Sequence, residues 1–135
     1  MPKFKKTICV ISSFYNESEN LKKFLKSFDK IEKILSHKGY NVTLVMVNDG
    51  STDNSINVVR KFKNKKKYIK LISLTKNYGQ QIAIYTAIKK FNADLYGAID
   101  SDCQQDPKYF ITMLNCLTKE NLDIVQMKKK YGNYE

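Results

Sequence analysis

Short apolar runs rich in β-branched residues alternate along the chain with stretches of helical apolar spacing, and this alternation limits the fold more than any other feature. The predicted strands are residues 7–12, 42–47, 69–74, 95–99 and 122–126. The predicted helices are residues 16–37, 51–63 and 79–91, with a fourth beginning at 107. The uninterrupted apolar runs are typical of strands buried on both faces. The alternation therefore predicts an α/β fold with a mostly parallel sheet and helices on both faces.

Polar residues mark the predicted helix starts. Asn16 or Ser18 is expected to cap the first helix, and Ser51 or Thr52 the second, because their side-chain oxygens accept hydrogen bonds from exposed backbone N–H groups. Pro107 suits the first turn of the fourth helix.

Length and charge restrict the class of protein. A chain of 135 residues makes one domain, 1–135, with a real core. The net charge is +11, but all except one of the 24 basic residues are lysine, Arg60 being the exception. Proteins that bind nucleic-acid bases and phosphates favour arginine, because its guanidinium group donates two parallel hydrogen bonds. We therefore do not expect a nucleic-acid partner. An anionic membrane surface or a phosphorylated substrate suits the charge better.

The apolar and cysteine patterns favour a cytoplasmic protein. Its basic charge is compatible with a location at the inner face of the cell membrane. No apolar stretch approaches the roughly 18 residues that span a bilayer, and residues 7–11 are too short for a signal peptide. Cys9, Cys103 and Cys116 are odd in number and lack metal-ligand spacing, and the apolar contexts of Cys9 and Cys116 predict buried free thiols in a reducing compartment.

Three polar clusters follow predicted strands, at residues 12–17, 48–53 and 100–106. Ligands of open parallel sheets bind at the carboxyl ends of the strands. Asp100 and Asp102 stand at i and i+2 of an extended segment, so their carboxylates should converge. A hard divalent cation such as Mg²⁺ would relieve their repulsion and usually shares its shell with substrate phosphates. These residues therefore predict a metal–diphosphate site.

Two alternatives stay open at the second cluster. Asp49 can accept hydrogen bonds from a ligand, or it can form an Asx-turn with Ser51 as a helix cap. Neither a glycine-rich dinucleotide fingerprint nor a phosphate-binding P-loop is present.

Four segments in register carry a resemblance: residues 11–17 (Ile-Ser-Ser-Phe-Tyr-Asn-Glu), 47–53 (Val-Asn-Asp-Gly-Ser-Thr-Asp), 74–81 (Leu-Thr-Lys-Asn-Tyr-Gly-Gln-Gln) and 100–107 (Asp-Ser-Asp-Cys-Gln-Gln-Asp-Pro). The chain resembles the family 2 glycosyltransferases of GT-A fold. Its likeness is greatest to the branch of dolichol-phosphate mannosyltransferase and the bacterial polyprenyl-phosphate glycosyltransferases. The resemblance implies a Rossmann-like GT-A sandwich, truncated to the N-terminal nucleotide-sugar-binding part.

The resemblance also assigns nucleotide-binding residues. Ser13, Tyr15 and Glu17 match the stretch that lines the base. Asp49 matches the acidic residue that holds the base or ribose, with Val47 beside it.

The remaining matched residues belong to the metal and the donor. Asp100 and Asp102, with Ser101 between them, match the Asp-x-Asp that grips Mg²⁺ or Mn²⁺ and the diphosphate and is central to catalysis. Gln104 matches a residue that completes the metal shell, and Lys76 lies in a segment that serves the donor pocket.

The implied reaction is inverting transfer of a sugar from a nucleotide-diphosphate donor to a polyprenyl phosphate at a membrane surface or to a cell-envelope glycan. A homo-oligomer is compatible with the sequence. The alternative is a nucleotide-sugar-binding half-domain that is inactive alone because the acceptor half is missing. A basic nucleic-acid-binding protein is the third hypothesis, and it predicts steeply salt-dependent binding.

Overall fold

Eight elements follow one another in residues 6–127, the part of the chain that the computed structural model describes. The strands are β1 (Thr7–Phe14), β2 (Asn41–Asn48), β3 (Ile69–Ser73) and β4 (Leu95–Ala98). The helices are α1 (Ser18–His37), α2 (Ser55–Lys65), α3 (Gln80–Lys90) and α4 (Lys108–Lys119). The strands pair in parallel in the order β3-β2-β1-β4, which confirms the predicted α/β fold. Residues 1–5 and 128–135 of the predicted domain lie outside the described residues.

The sheet carries an apolar core on each face, as the uninterrupted strand runs predict. On one face, Ile8 and Val10 of β1 join the apolar side chains of α1, α2 and α4. On the other face, Cys9 and Ile11 join the two buried alanines of α3. Successive strand residues point to opposite faces, so a strand in the middle of such a sheet must be apolar at every position. Helices therefore cover both faces of the sheet.

Cys9 is a buried free thiol, as expected, whereas the free thiol of Cys116 is only partly buried, and so is that of Cys103. Burial raises the pKa of the Cys9 thiol to about 11, because a thiolate loses its hydration inside the core. Cys9 is therefore a protonated core residue at neutral pH.

The predicted fifth strand is wrong, because residues 122–126 are irregular. After α4 the backbone of Asn121 turns into the left-handed region with a φ of 52°, and the N–H of Leu122 donates to the carbonyl of Leu117 at 2.9 Å. Ile124 is 84% exposed. This segment has no partner strand among the described residues, and an extended segment needs one to satisfy its backbone groups.

The predicted helix caps are also wrong. α1 begins at Ser18 behind the N-cap Glu17, without a side-chain cap hydrogen bond. The first turn of α2 is bonded by Asp53, whose Oδ1 accepts the N–H of Ser55 at 2.9 Å. The expected caps, Asn16 or Ser18 for α1 and Ser51 or Thr52 for α2, do not occupy the N-cap positions, which are held by Glu17 and Asn54. Asn16 and Ser51 bond to each other across two loops, so local capping loses to a long-range contact.

Asp94 ties the start of β4 to the start of β1. Its Oδ2 accepts the N–H of Thr7 at 2.8 Å and the Thr7 hydroxyl at 3.1 Å. Its own N–H donates to the carbonyl of Thr7 at 3.1 Å. The hydrogen bonds from the Thr7 backbone and hydroxyl hold the pKa of the Asp94 carboxyl below its ordinary value, because they favour the charged form.

We expect Asp94→Asn to lower the melting temperature at pH 7. A carboxyl whose pKa is lowered by folding stabilises the native state above its unfolded pKa, and the contribution disappears as the pH falls through the folded pKa. The gap between wild type and variant should therefore narrow below about pH 4. Thermal unfolding from pH 3 to pH 8 measures this, with the exposed carboxylate variant Asp123→Asn as control. A gap that stays constant across this range would contradict the role of the charge.

Candidate active site

A polar pocket of about 250 Å³ lies at the carboxyl ends of the strands. It is lined by Ser13, Phe14, Tyr15, Glu17, Asp49, Gln80, Asp100, Ser101 and Asp102. Parallel strands deliver their following loops to one edge of the sheet, which is why side chains up to 89 positions apart in the sequence meet here. Seven of the predicted site residues line this pocket: Ser13, Tyr15, Glu17, Asp49, Asp100, Ser101 and Asp102.

The other three predicted residues lie outside the lining. Val47 is fully buried in the core beneath α3, where its side chain packs with Ile11 and Ala83. Lys76 is exposed on the loop after β3, with its ammonium 5.1 Å from the centre of the Tyr78 ring. Gln104 is exposed just beyond the acidic pair.

The carboxylate of Asp49 joins the end of β2 to the start of α3. Oδ1 accepts the N–H of Tyr78 at 2.8 Å, and Oδ2 accepts the N–H of Gly79 at 3.0 Å. Asp49 is only 5% exposed, and a buried carboxylate needs such donors. The Asx-turn with Ser51 as a helix cap, one of the two alternatives left by the sequence, does not describe these contacts. Asp49 lines the pocket and also holds α3 in place.

Gly50 makes the same junction possible through its lack of a side chain. Its φ is +78°, which favours glycine, and a Cβ built on it would stand 2.5 Å from the backbone N of Asn77 and the backbone C of Lys76. The turn after β2 and the loop after β3 thus pack backbone against backbone.

Asp100 and Asp102 both line the pocket, as their i, i+2 spacing predicts, and so does Ser101 between them. The Ser101 hydroxyl donates to the carbonyl of Ser13 at 2.9 Å and is buried. Gln80 donates through Nε2 to Oδ1 of Asp100 at 2.9 Å. The backbone N–H of Gln104 donates to Oδ1 of Asp102 at 3.1 Å. Each residue of the acidic segment therefore has a fixed partner.

The donor set fits a divalent cation that is shared with a ligand. Within residues 6–127 no group of three or more acidic, histidine or cysteine side chains is arranged to hold a metal alone. Two carboxylates in an open pocket suit Mg²⁺, which keeps waters and phosphate oxygens in its shell. Asp100 and Asp102 would hold such an ion. A direct role of the Gln104 side chain stays a prediction.

Cys103 adjoins this pair, and its thiol is hydrogen-bonded to the backbone. Burial raises the pKa of its thiol; the charge of Lys23 lowers it, and the charges of Asp102 and Glu17 raise it further. The net effect is upward, so the thiol is protonated at neutral pH. Its Sγ lies 3.4 Å from the carbonyl oxygen of Asn20, to which it donates.

Two residues important to this geometry were not predicted from the sequence, Gln80 and Asn16. Gln80 is the first residue of α3, and the helix start at the sheet edge brings its amide to Asp100, 20 positions away. The glycine before it, Gly79, is the one local signal of that helix start. Asn16, expected to cap α1, instead accepts hydrogen bonds from the loop after β2.

A larger groove, of about 650 Å³, lies beside β4 and α4. Its walls are mainly apolar, with Phe110, Met113 and Leu117 of α4 among them. The acidic pair and Asp49 line the smaller pocket instead, and convergent polar groups rather than size mark a site for a charged ligand. We therefore place the candidate site in the smaller pocket.

Four parallel strands with an acidic pocket at their carboxyl ends define a Rossmann-like α/β ligand-binding domain. The model of the family "Glycosyl transferase family 2" matches residues 9–135. The chain therefore belongs to glycosyl transferase family 2.

Individual relatives agree with this assignment. The undecaprenyl-phosphate 4-deoxy-4-formamido-L-arabinose transferase of Proteus mirabilis is 31% identical over 124 residues, which cover 91% of this chain and 37% of the relative. This chain thus spans little more than a third of that protein.

Solved structures show the same fold, which is GT-A-like. S. aureus TarS 1–349 in complex with UDP superposes with a TM-score of 0.69 at 23% identity, covering 96% of this chain and 37% of that one. The mannosyltransferase PcManGT of Pyrobaculum calidifontis, in complex with GDP-Man and Mn²⁺, gives a TM-score of 0.63 at 22% identity, covering 75% and 29%. No helix within residues 6–127 has the length and apolar character of a membrane span.

We expect Gly50→Ala to destabilise the fold more than Gly39→Ala does. Both glycines have positive φ, so both variants carry the cost of a left-handed alanine, about 1–2 kcal/mol. Only at Gly50 does the new Cβ also meet backbone, whereas nothing lies within 4 Å at Gly39. Such overpacking adds about 1–3 kcal/mol.

Urea unfolding of the two variants measures the difference in their free energies of unfolding. Equal losses for Gly50→Ala and Gly39→Ala would show that the contact between the two loops is not tight.

Proposed function

We propose that this chain is the donor-binding part of a glycosyltransferase that takes a sugar from a nucleotide-diphosphate donor. The observation that carries the proposal is the presence of Tyr15, Glu17 and Asp49 in one pocket with Asp100 and Asp102. One end offers an aromatic ring and hydrogen-bond acceptors, which suit a nucleoside. The other offers paired carboxylates, which suit a metal-bound diphosphate.

The two ends have different chemical tasks. Asp100 and Asp102 would hold a Mg²⁺ or Mn²⁺ ion, which would supply positive charge against the negative charge of the leaving diphosphate. Asp100 and Asp102 orient that end of the donor, and Gln80 fixes the rotamer of Asp100 through its hydrogen bond. Tyr15 is 46% exposed at the mouth, so a ring face is available for stacking with a base. The UDP of the TarS complex and the GDP-Man and Mn²⁺ of the PcManGT complex support donors of this class.

The acceptor we propose is a polyprenyl phosphate. The name of the Proteus mirabilis relative specifies undecaprenyl phosphate as its substrate. A phosphate monoester is largely ionised at pH 7, because its second pKa lies near 6, so its oxygen needs little help from a general base. The net charge of +11 favours approach to an anionic lipid surface.

The second candidate is a donor-binding half-domain that has no sugar-transfer activity by itself. It is favoured by one observation, that the chain spans 37% of the length of the Proteus mirabilis relative. Titration calorimetry with UDP, GDP, ADP and CDP, each with Mn²⁺, followed by a sugar-transfer assay on polyprenyl phosphate in vesicles, separates the two. Binding with turnover supports the enzyme, and binding without turnover supports the half-domain. The absence of any nucleotide binding would overturn both.

We expect Asp102→Asn to weaken Mn²⁺-dependent binding of the nucleoside diphosphate by at least about tenfold, since removing even the partners of metal ligands costs roughly 10- to 100-fold. Affinity for the nucleoside without phosphates should change little, because Asp102 belongs to the diphosphate end. Calorimetry on both ligands makes the comparison.

The matched control is Asp106→Asn. Asp106 is exposed outside the pocket, and its Oδ1 accepts the N–H of Lys108 at 3.0 Å, a bond that asparagine also makes. A loss for Asp106→Asn as large as for Asp102→Asn would mean that general charge, not the acidic pair, binds the diphosphate.

A further inference from the structure

Asn16 lies between two pocket residues without lining the pocket itself. Its neighbours Tyr15 and Glu17 both face the pocket. The φ of Asn16 is +51°, in the left-handed region that asparagine tolerates better than most residues. This backbone conformation turns the chain sharply at the end of β1.

The side chain of Asn16 bonds the loop after β2. Its Oδ1 accepts the N–H of Thr52 at 2.8 Å and the N–H of Asp53 at 3.2 Å. The backbone N–H of Asn16 donates to Oγ of Ser51 at 3.1 Å. We call these four residues, Asn16, Ser51, Thr52 and Asp53, the Asn16 clasp.

Further hydrogen bonds continue the clasp along the chain. The N–H of Glu17 donates to Oγ of the fully buried Ser55 at 2.9 Å, and the N–H of Ser18 donates to Oδ2 of Asp53 at 3.4 Å. Burial disfavours the charged form of Asp53, but hydrogen bonds from Ser55 and Ser18 outweigh it and hold the pKa of its carboxyl below the ordinary value. The loops after β1 and β2 are therefore joined at several successive residues.

The clasp extends the pairing of the two strands beyond the sheet. The last pair in the register is Phe14 with Asn48, and the N–H of Asp49 donates to the carbonyl of Phe14 at 2.9 Å. Past this point the Asn16 clasp and the bond from Glu17 to Ser55 hold the loop of Tyr15 and Glu17 against the turn that carries Asp49. All three of these residues line the pocket, so the contacts between the two loops bear on its nucleoside end.

The diphosphate end is held by other contacts. Asp100 is bonded by Gln80 and Ser101 by the carbonyl of Ser13, all outside the clasp. Loss of the clasp should therefore affect one end of the pocket and spare the other.

We propose that Asn16 is a positioning residue for nucleoside binding: it fixes the Tyr15–Glu17 loop against the turn that carries Asp49 without touching the ligand. The inference rests on the proposed function. A purely structural role would lower stability and leave the affinity of the folded protein unchanged.

The test compares Asn16→Gly with Asn16→Asp. Glycine keeps the backbone freedom and removes the acceptor oxygen, whereas aspartate keeps an acceptor oxygen at the same position. The probes are the nucleoside diphosphate with Mn²⁺ that binds the wild type most tightly among UDP, GDP, ADP and CDP, the corresponding nucleoside, and Mn²⁺-pyrophosphate. Gly39→Ala, which strains the backbone far from the pocket, controls for lost stability. Each affinity is measured at a temperature where circular dichroism shows every variant folded.

We expect Asn16→Gly to weaken nucleoside and nucleoside diphosphate binding by about tenfold, the effect of losing one or two hydrogen bonds, with pyrophosphate affinity unchanged. Asn16→Asp should restore most of the loss, and Gly39→Ala should bind like the wild type. Ser51→Ala removes only the acceptor of the Asn16 N–H, so it should weaken nucleoside binding by less than Asn16→Gly does. It replaces Asn16→Gly in the test if that variant does not fold.

The inference would be overturned, while the proposed function stands, if the folded variants bound the nucleoside with wild-type affinity. The same would follow if they lost as much affinity for pyrophosphate as for the nucleoside. Failure of the wild type to bind any of the nucleotides would overturn the proposed function and the inference together.

Discussion

The buried carboxylate of Asp49 is the contact on which the site depends. It stands at the end of the central strand β2 and accepts two backbone N–H groups from the residues that precede α3. Because α3 begins directly after these residues, the bonds also set the place of Gln80, which in turn holds Asp100. The turn at Asp49 is joined to the β1 loop by the Asn16 clasp. The Asp49 side chain is thus linked through hydrogen bonds and α3 to the diphosphate end of the pocket, and through its turn to the nucleoside end.

Much of this fold could be predicted from local sequence. Uninterrupted apolar runs such as residues 7–11 predict strands that are buried on both faces. Because helices lie between these strands, the sheet is predicted to be parallel. The acidic pair could be predicted because the spacing of two in an extended segment places side chains on one side. These predictions need only the residues of one segment and the rule that parallel strands present their loops at one edge.

The failures have a common physical cause, since each depends on a partner far away in the sequence. Residues 122–126 carry a strand-like pattern, but a strand forms only beside another. Asn16 is a good cap by local preference, yet its oxygen bonds Thr52 and Asp53 on another loop. In α3 the large apolar side chains of Ile82 and Tyr85 are 50% and 59% exposed, whereas the small Ala83 and Ala87 form the contact with the sheet. The sequence pattern of one segment does not show which of these competing contacts forms in the folded protein.

The central claim is that the nucleoside diphosphate occupies the pocket at the strand ends and not the larger groove beside β4. Amide chemical-shift mapping by NMR, with the best-binding nucleoside diphosphate and Mg²⁺, tests it most directly. We predict shifts at Tyr15, Glu17, Gln80 and Asp102, with the amides of the α4 residues Met113 and Leu117 unchanged. Shifts confined to Met113, Leu117 and their neighbours in the groove would contradict it.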